Sequence, residues 1–291
     1  MGWFDWPIPE ATSSHSAPVD AQQAGDERMS EELAGGVANR GQVKRQGERV
    51  VRPAPPNAPT LHRLLRHVTA VGFPASWPIA LPGDGTEVLE FIPGEVSLPP
   101  HPEPWVREHR VLIALGRFLR AFHDATTGFE TDEADRWSSE MADPLGGDVI
   151  CHNDVCIENV VFRDGSPVGL LDFDFAAPGR RVWDVAMTAR YWVPLLDPQS
   201  ASATQREHLD PFSRLVAFVD AYGLDPEDRA TFTTTLMEIE EITLAFVLRR
   251  VEAGEPAFVE MWANLGGEGR YTRKMTWLRA HLADIDRALG V

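Results

Sequence analysis

The sequence turns on residues 149–174. They read Val-Ile-Cys-His-Asn-Asp-Val-Cys-Ile-Glu-Asn-Val-Val-Phe, then Arg-Asp-Gly-Ser-Pro at 163–167, then Val-Gly-Leu-Leu-Asp-Phe-Asp. Two apolar runs, Val160–Phe162 and Val168–Leu171, flank an Asp-Gly turn, which predicts a β-hairpin. The polar residues gather at its outer ends: His152, Asp154 and Asn159 before the first strand, Asp172 and Asp174 after the second. A tight hairpin returns the chain to where it left, so these groups are expected to meet in space. Such a set suits phosphoryl transfer from a metal-bound nucleotide. That chemistry needs one carboxylate to orient an attacking hydroxyl and hard oxygen ligands to hold Mg²⁺ against phosphates. Asp154 fits the first role; Asn159 and Asp172 fit the second, with Asp174 as a further metal or water ligand.

The spacing His152-x-Asp154-x-x-x-x-Asn159, followed by Asp172-Phe173, resembles the catalytic and metal-binding loops of kinases. The match is to the aminoglycoside phosphotransferase/choline kinase-like family, which shares the protein-kinase fold. It covers roughly residues 30 to 280 and is sharp only across 149–184. Asn153 stands where protein kinases carry an Arg that reads a phosphorylated loop, and the second motif is Asp-Phe-Asp. Eleven residues separate Asp172 from Asp184, which leaves no room for a long activation segment. The small-molecule branch is therefore the nearer one.

The resemblance implies an α+β, two-lobed fold: a small antiparallel-sheet lobe at 29–93 and a larger, mainly helical lobe at 94–291. Residues 1–28 lack periodicity and read as a disordered tail, with Trp3, Phe4 and Trp6 as its apolar exception. Gly35, Gly36 and Asn39 form a glycine-rich segment placed where kinase-like folds cover the nucleotide phosphates. Strands are expected at Gln42–Arg45 and Arg49–Arg52. Arg52 falls at the family's phosphate-gripping Lys position, with Lys44 as reserve. The chain's other lysine is Lys274. The helix expected at Pro59–Val71 should supply a Glu to pair with that cation, but no acid occurs from Pro53 to Pro82, and the nearest positions offer His62. The strand Thr86–Ile92 resembles the interlobe hinge, with the backbone of Glu90 and Ile92 at the adenine edge and Phe91 in a packing role.

A helical stripe of Val111, Leu112, Leu115, Phe118, Leu119 and Phe122 follows, ended by His123, which reads as a structural group. Further helices are expected at 183–194, 209–222, 226–253 and 271–289. Asp184 reads either as a helix cap or as the family acid that braces the catalytic loop. Glu238 and Glu241 share one face of a helix, as a solvated surface or an acceptor contact. Trp262, Tyr271 and Trp277 are candidate walls of an acceptor pocket.

Lys plus Arg minus Asp plus Glu is 27 − 44 = −17, which argues against nucleic acid or an anionic membrane as partner and leans toward a cationic acceptor. No apolar run of about eighteen residues occurs, so a spanning helix is not expected. The amino terminus carries neither a signal-peptide nor a myristoylation pattern, which implies a cytoplasmic protein. Cys151 and Cys156 match neither redox nor metal spacing and read as reduced structural thiols. The sequence therefore points to a Mg²⁺-dependent phosphotransferase. It would use ATP or GTP, with His152 bracing the loop around the base, and phosphorylate a hydroxyl of a small molecule such as an aminoglycoside-like antibiotic. The rival is a kinase-like binder without catalysis, such as an immunity protein.

Overall fold

In the computed structural model, residues 30–33, 41–98 and 102–291 are described. The amino-terminal lobe is built from β1 (Ser30–Glu32), β2 (Lys44–Gln46), β3 (Arg49–Pro53), α1 (Ala58–Ala70), β4 (Pro78–Ala80) and β5 (Thr86–Glu90). The strands form one antiparallel sheet in the order β1-β2-β3-β5-β4. β2 and β3 are joined through Gly47, whose φ of 63° suits the turn. α1 carries proline in its first turn and turns Leu61, Leu64, Leu65 and Val68 into the core. The glycine-rich segment with Gly35, Gly36 and Asn39, and the tail with its aromatics, lie outside the described residues.

Past β5 the chain crosses to the second lobe by running against the hairpin. Glu95 and Phe162 exchange both backbone hydrogen bonds, each 2.8 Å. Gly94 makes that approach possible: a Cβ there would strike the Val161 side chain and come within 2.6 Å of the Phe162 carbonyl oxygen.

The larger lobe begins with α2 (His109–Thr126), whose predicted stripe from Val111 to Phe122 is buried throughout. Four short strands follow: β6 (Val149–Cys151), β7 (Val160–Arg163), β8 (Ser166–Leu170) and β9 (Ala177–Gly179). β7 and β8 form the expected hairpin. Its turn is Asp164-Gly165, with φ of 52° and 72°, the two left-handed residues that a two-residue turn needs to match strand twist. β6 pairs with β9, which closes residues 149–179 on themselves.

Six helices complete the lobe: α3 (Arg181–Trp192), α4 (Pro198–Ala203), α5 (Pro211–Tyr222), α6 (Pro226–Glu252), α7 (Pro256–Asn264) and α8 (Gly267–Leu289). Three of them start in the same way. Asp197, Asp210 and Asp225 each precede a proline and accept a hydrogen bond from a backbone N–H three residues on, at 3.2, 3.0 and 2.8 Å. The aspartate caps exposed donors and the proline presets φ, a pairing worth about 1 kcal/mol per cap. α4 and α7 were not expected from periodicity; at 6 and 9 residues they are too short to show one. Among the described residues no helix is long and apolar enough to cross a membrane.

Candidate active site

The loop between β6 and β7 carries His152, Asn153, Asp154 and Asn159, and all four are buried. Its shape is set from α3. Asp184 Oδ2 accepts from the His152 N–H at 2.7 Å, and Oδ1 accepts from the Asn153 N–H at 2.9 Å. α3 begins at Arg181, so Asp184 lies a turn inside the helix and braces the loop; it is not the cap. Burial alone would raise this carboxyl, but His123, His152 and the backbone donors hold it below the usual carboxylate range. His123 bridges Asp184 at 3.0 Å and the Tyr222 hydroxyl at 2.7 Å, the structural role its place on the stripe implied. Asn153 takes a left-handed φ of 67°, which Asn tolerates, and its side chain donates to the Phe175 carbonyl.

His152 uses both ring nitrogens. Nδ1 accepts from the Asp154 N–H at 3.2 Å and Nε2 faces the Leu171 carbonyl at 2.9 Å, which fixes a neutral tautomer with the proton on Nε2. Burial pushes its pKa down, so the ring holds the loop to the end of β8 and carries no charge.

Asp154 is gripped at both carboxylate oxygens. Asn159 Nδ2 donates to Oδ2 at 3.1 Å and to the Asp154 carbonyl at 2.9 Å, and Tyr191 donates its hydroxyl to Oδ1 at 2.7 Å. With its amide nitrogen committed to Asp154, Asn159 keeps Oδ1 as the side-chain atom that could take a metal ion. Its carbonyl receives the Leu171 N–H at 2.9 Å, which ties it to the start of the Asp172 turn. Tyr191 was not singled out in the sequence. A signal existed: it follows Asp184 by two helical turns and so shares its face.

Asp172 adopts a left-handed φ of 61°, and Asp174 follows two residues on. Arg52 spans both, with Nη1 to Asp172 at 2.9 Å and Nη2 to Asp174 at 2.6 Å, while its Nε reaches Glu87 at 2.7 Å. Burial would lower the guanidinium's pKa, but three carboxylates outweigh it and push it up. Asp172 is held below its ordinary value because Arg52 overcomes the cost of burial. Asp174 is pushed up to about 7 by burial and by the neighbouring Asp172 charge, with Arg52 opposing.

As expected, α1 carries no acid, and the cation's acidic partner in this lobe comes instead from the sheet. Arg52 and Glu87 are direct cross-strand partners in the β3–β5 ladder. His62, on α1, is not a surface residue: it is buried and meets Glu87 at 2.8 Å. The acid has moved from the helix to the sheet, and the helix contributes a histidine that holds it. Lys44, the reserve cation, is exposed on β2.

At the crossover the Glu90 N–H donates to the Trp77 carbonyl at 2.9 Å, so this donor is committed within the protein. Ile92 packs against β8 at Gly169. Phe91 is covered by the Arg45 guanidinium, 3.8 Å from the ring centre.

The Arg52 guanidinium bridges the Asp172 and Asp174 carboxylates, and carboxylate oxygens with an amide oxygen such as that of Asn159 are the hard donors that a divalent ion such as Mg²⁺ takes. His123, Cys151 and Asp184 also cluster within 4.8 Å, but each is accounted for structurally, the thiol donating to the Arg180 carbonyl. Both cysteines are buried, free thiols that burial pushes up in pKa.

Of the residues expected to face an acceptor, Glu238 lies 3.9 Å from Arg180, and Glu241 is exposed. The acid turned inward is the one between them. Glu240 Oε1 receives Arg190 Nε at 2.7 Å and Lys274 Nζ at 2.6 Å. Trp262, Tyr271 and Trp277 are partly buried against the core, with Trp277 stacked on His281 at 4.2 Å.

Known proteins share this framework. The family model described as "Phosphotransferase enzyme family" matches residues 30–146 and 130–218. A trifolitoxin immunity protein of Rhizobium leguminosarum bv. trifolii is 31% identical over 279 residues, spanning 90% of this chain and all of that protein. A choline/ethanolamine kinase family protein from Mesorhizobium loti superposes with a TM-score of 0.55 at 15% identity, covering 88% of this chain and 94% of the other. An aminoglycoside phosphotransferase from Alicyclobacillus acidocaldarius gives 0.54 at 14% identity, covering 95% and 98%. The fold is thus the two-lobed, protein-kinase-like one, and the chain belongs to the phosphotransferase enzyme family.

Proposed function

We propose that this protein transfers the γ-phosphate of ATP or GTP to a hydroxyl of a small molecule harmful to its host, and so confers immunity by covalent modification. One observation carries the reading: Asp154 is fixed beside Asn159, whose carbonyl is tied to the turn where Arg52 bridges Asp172 and Asp174. Asp154 would align the acceptor hydroxyl and take its proton late, a contribution of about 10²–10⁴-fold. Asn159, Asp172 and Asp174 would hold Mg²⁺, which when bound neutralises charge on the phosphates. Arg52, kept in place by Glu87, would hold the α- and β-phosphates, and the Glu90 carbonyl with the Ile92 backbone would meet the base. The immunity relative supports a harmful acceptor, and the family supports phosphoryl transfer. A cationic, aminoglycoside-like acceptor would suit the net charge of −17.

The same relative favours a second reading, in which the fold captures its target without chemistry. Incubation with Mg-ATP or Mg-GTP and a panel of aminoglycosides, macrolides, choline and sugars separates the two. Phosphotransfer gives nucleotide consumption and an acceptor about 80 Da heavier by mass spectrometry, which the Asp154→Asn variant fails to produce. Tight acceptor binding with no mass change in any arm would establish the binder.

A further inference from the structure

Four consecutive residues of the loop, 152 to 155, are held by one helix. Asp184, near the start of α3, takes the backbone N–H groups of His152 and Asn153. Two turns on, Tyr191 donates to the Asp154 carboxylate at 2.7 Å, and Trp192 Nε1 donates to the Val155 carbonyl at 2.8 Å. Three of these contacts go to backbone and shape the loop. The fourth, from Tyr191, is a hydrogen bond to the side chain of the proposed base. α3 therefore acts as a splint, and one rung of it touches the group assigned to chemistry.

The end of the splint is itself clamped. The Tyr191 carbonyl accepts from Arg206 at 2.9 Å. Its neighbour Arg190 is tied to α6 and α8 through the Glu240 oxygen shared with Lys274. The phenol is fully enclosed, and burial together with the Asp154 charge raises its pKa well above the usual tyrosine value. It thus stays protonated and acts toward Asp154 as a donor. A carboxylate with one oxygen held by a rigid phenol and the other by Asn159 has a single orientation, and such preorganisation removes a cost the reaction would otherwise carry.

We infer that Tyr191 is a positioning residue, which sets the rotamer of Asp154 through its hydroxyl and so couples the acceptor-side helices to the phosphoryl-transfer site. The inference rests on the reading of Asp154 as the base. Its test is the Tyr191→Phe variant of the full chain, which loses one hydroxyl and keeps the ring. Turnover should fall about 10–100-fold while the nucleotide KM stays within about twofold and the thermal midpoint within about 3 °C. The variant carrying both Tyr191→Phe and Asp154→Asn should be no slower than Asp154→Asn alone, because the hydroxyl acts only through that carboxylate. Unchanged turnover would overturn the assignment. So would a loss that tracks a collapsed melting temperature and weakened nucleotide binding, the mark of a purely structural tyrosine. If the wild-type chain turns over no nucleotide with any acceptor, the reading of Asp154 as base fails instead. Crystal structures of both forms then decide the positioning claim. The Asp154 carboxylate should leave its wild-type orientation or split between rotamers in Tyr191→Phe, and an unmoved carboxylate would overturn it.

Discussion

The two halves of the site are held in opposite ways. In the larger lobe, the Asp154 carboxylate is held by residues 5 and 37 positions away, Asn159 in its own loop and Tyr191 on α3. In the smaller lobe, Arg52 reaches partners 35, 120 and 122 positions away, on a neighbouring strand and across the cleft. The first half is a locally folded unit whose geometry comes with its backbone. The second exists only when the two lobes meet. On the proposed reading, chemistry would fall to the half that is locally built, and nucleotide grip to the half assembled across the two lobes.

That contrast breaks first at Asp154. Asp154→Asn should cost about 10²–10⁴-fold in turnover while the nucleotide dissociation constant moves less than about threefold. Isothermal titration alongside a nucleotide-consumption assay reads both, and a comparable loss of binding would show that the halves are not separable. Next comes the anchor of the rigid half. Glu240→Gln removes the carboxylate that Arg190 and Lys274 share, so stability should fall by about 3–5 kcal/mol in denaturant titrations. The pH dependence has a definite sign. Burial would raise the Glu240 carboxyl, but Arg190 and Lys274 hold it at about 2 against an ordinary value of 4.5. Its stabilisation is complete above the higher value and is lost as pH falls toward the lower. Wild-type stability should therefore drop more steeply than that of Glu240→Gln between about pH 5 and 3. Parallel curves would count against a shared ion pair.

Smaller effects belong to the other lobe. Arg52→Met should weaken nucleotide binding about 10–100-fold, the range for charge-assisted hydrogen bonds. Arg52→Lys should recover part of this, because an ammonium cannot span Glu87, Asp172 and Asp174 together. Equal affinity of the Met variant and wild type would remove Arg52 from the site. Smallest of all, Lys44→Met should change affinity by less than about twofold, since that side chain is exposed on β2. A large loss there would exchange the two cations' roles.

The same division decided what could be read from the sequence. The hairpin was legible because Asp164-Gly165 between apolar runs encodes its turn, and the polar ends of the strands followed from it. The long helices showed in the spacing of residues such as Val111 to Phe122. Glu87 stayed hidden because a search along α1 looks for an acid by family position, whereas pairing across β3 and β5 depends on strand register. Glu240 was passed over for Glu238 and Glu241 for a related reason. Which face of α6 turns inward is fixed by Arg190 on α3 and Lys274 on α8, neither of which is near in sequence. Tyr191 was not legible because its partner, the Asp154 carboxylate, lies 37 positions away in a loop whose path the sequence does not give.

The crossing at Gly94 has a mechanical meaning. Paired backbone bonds at Glu95 lock the connector to Phe162, on the strand that runs directly out of Asn159. On the proposed reading, a base held at residues 90–92 would thereby be registered against Asn159 through main chain alone, like a stop on a ruler. Side chains elsewhere along the cleft would then be free to vary with the acceptor without shifting where a terminal phosphate would arrive.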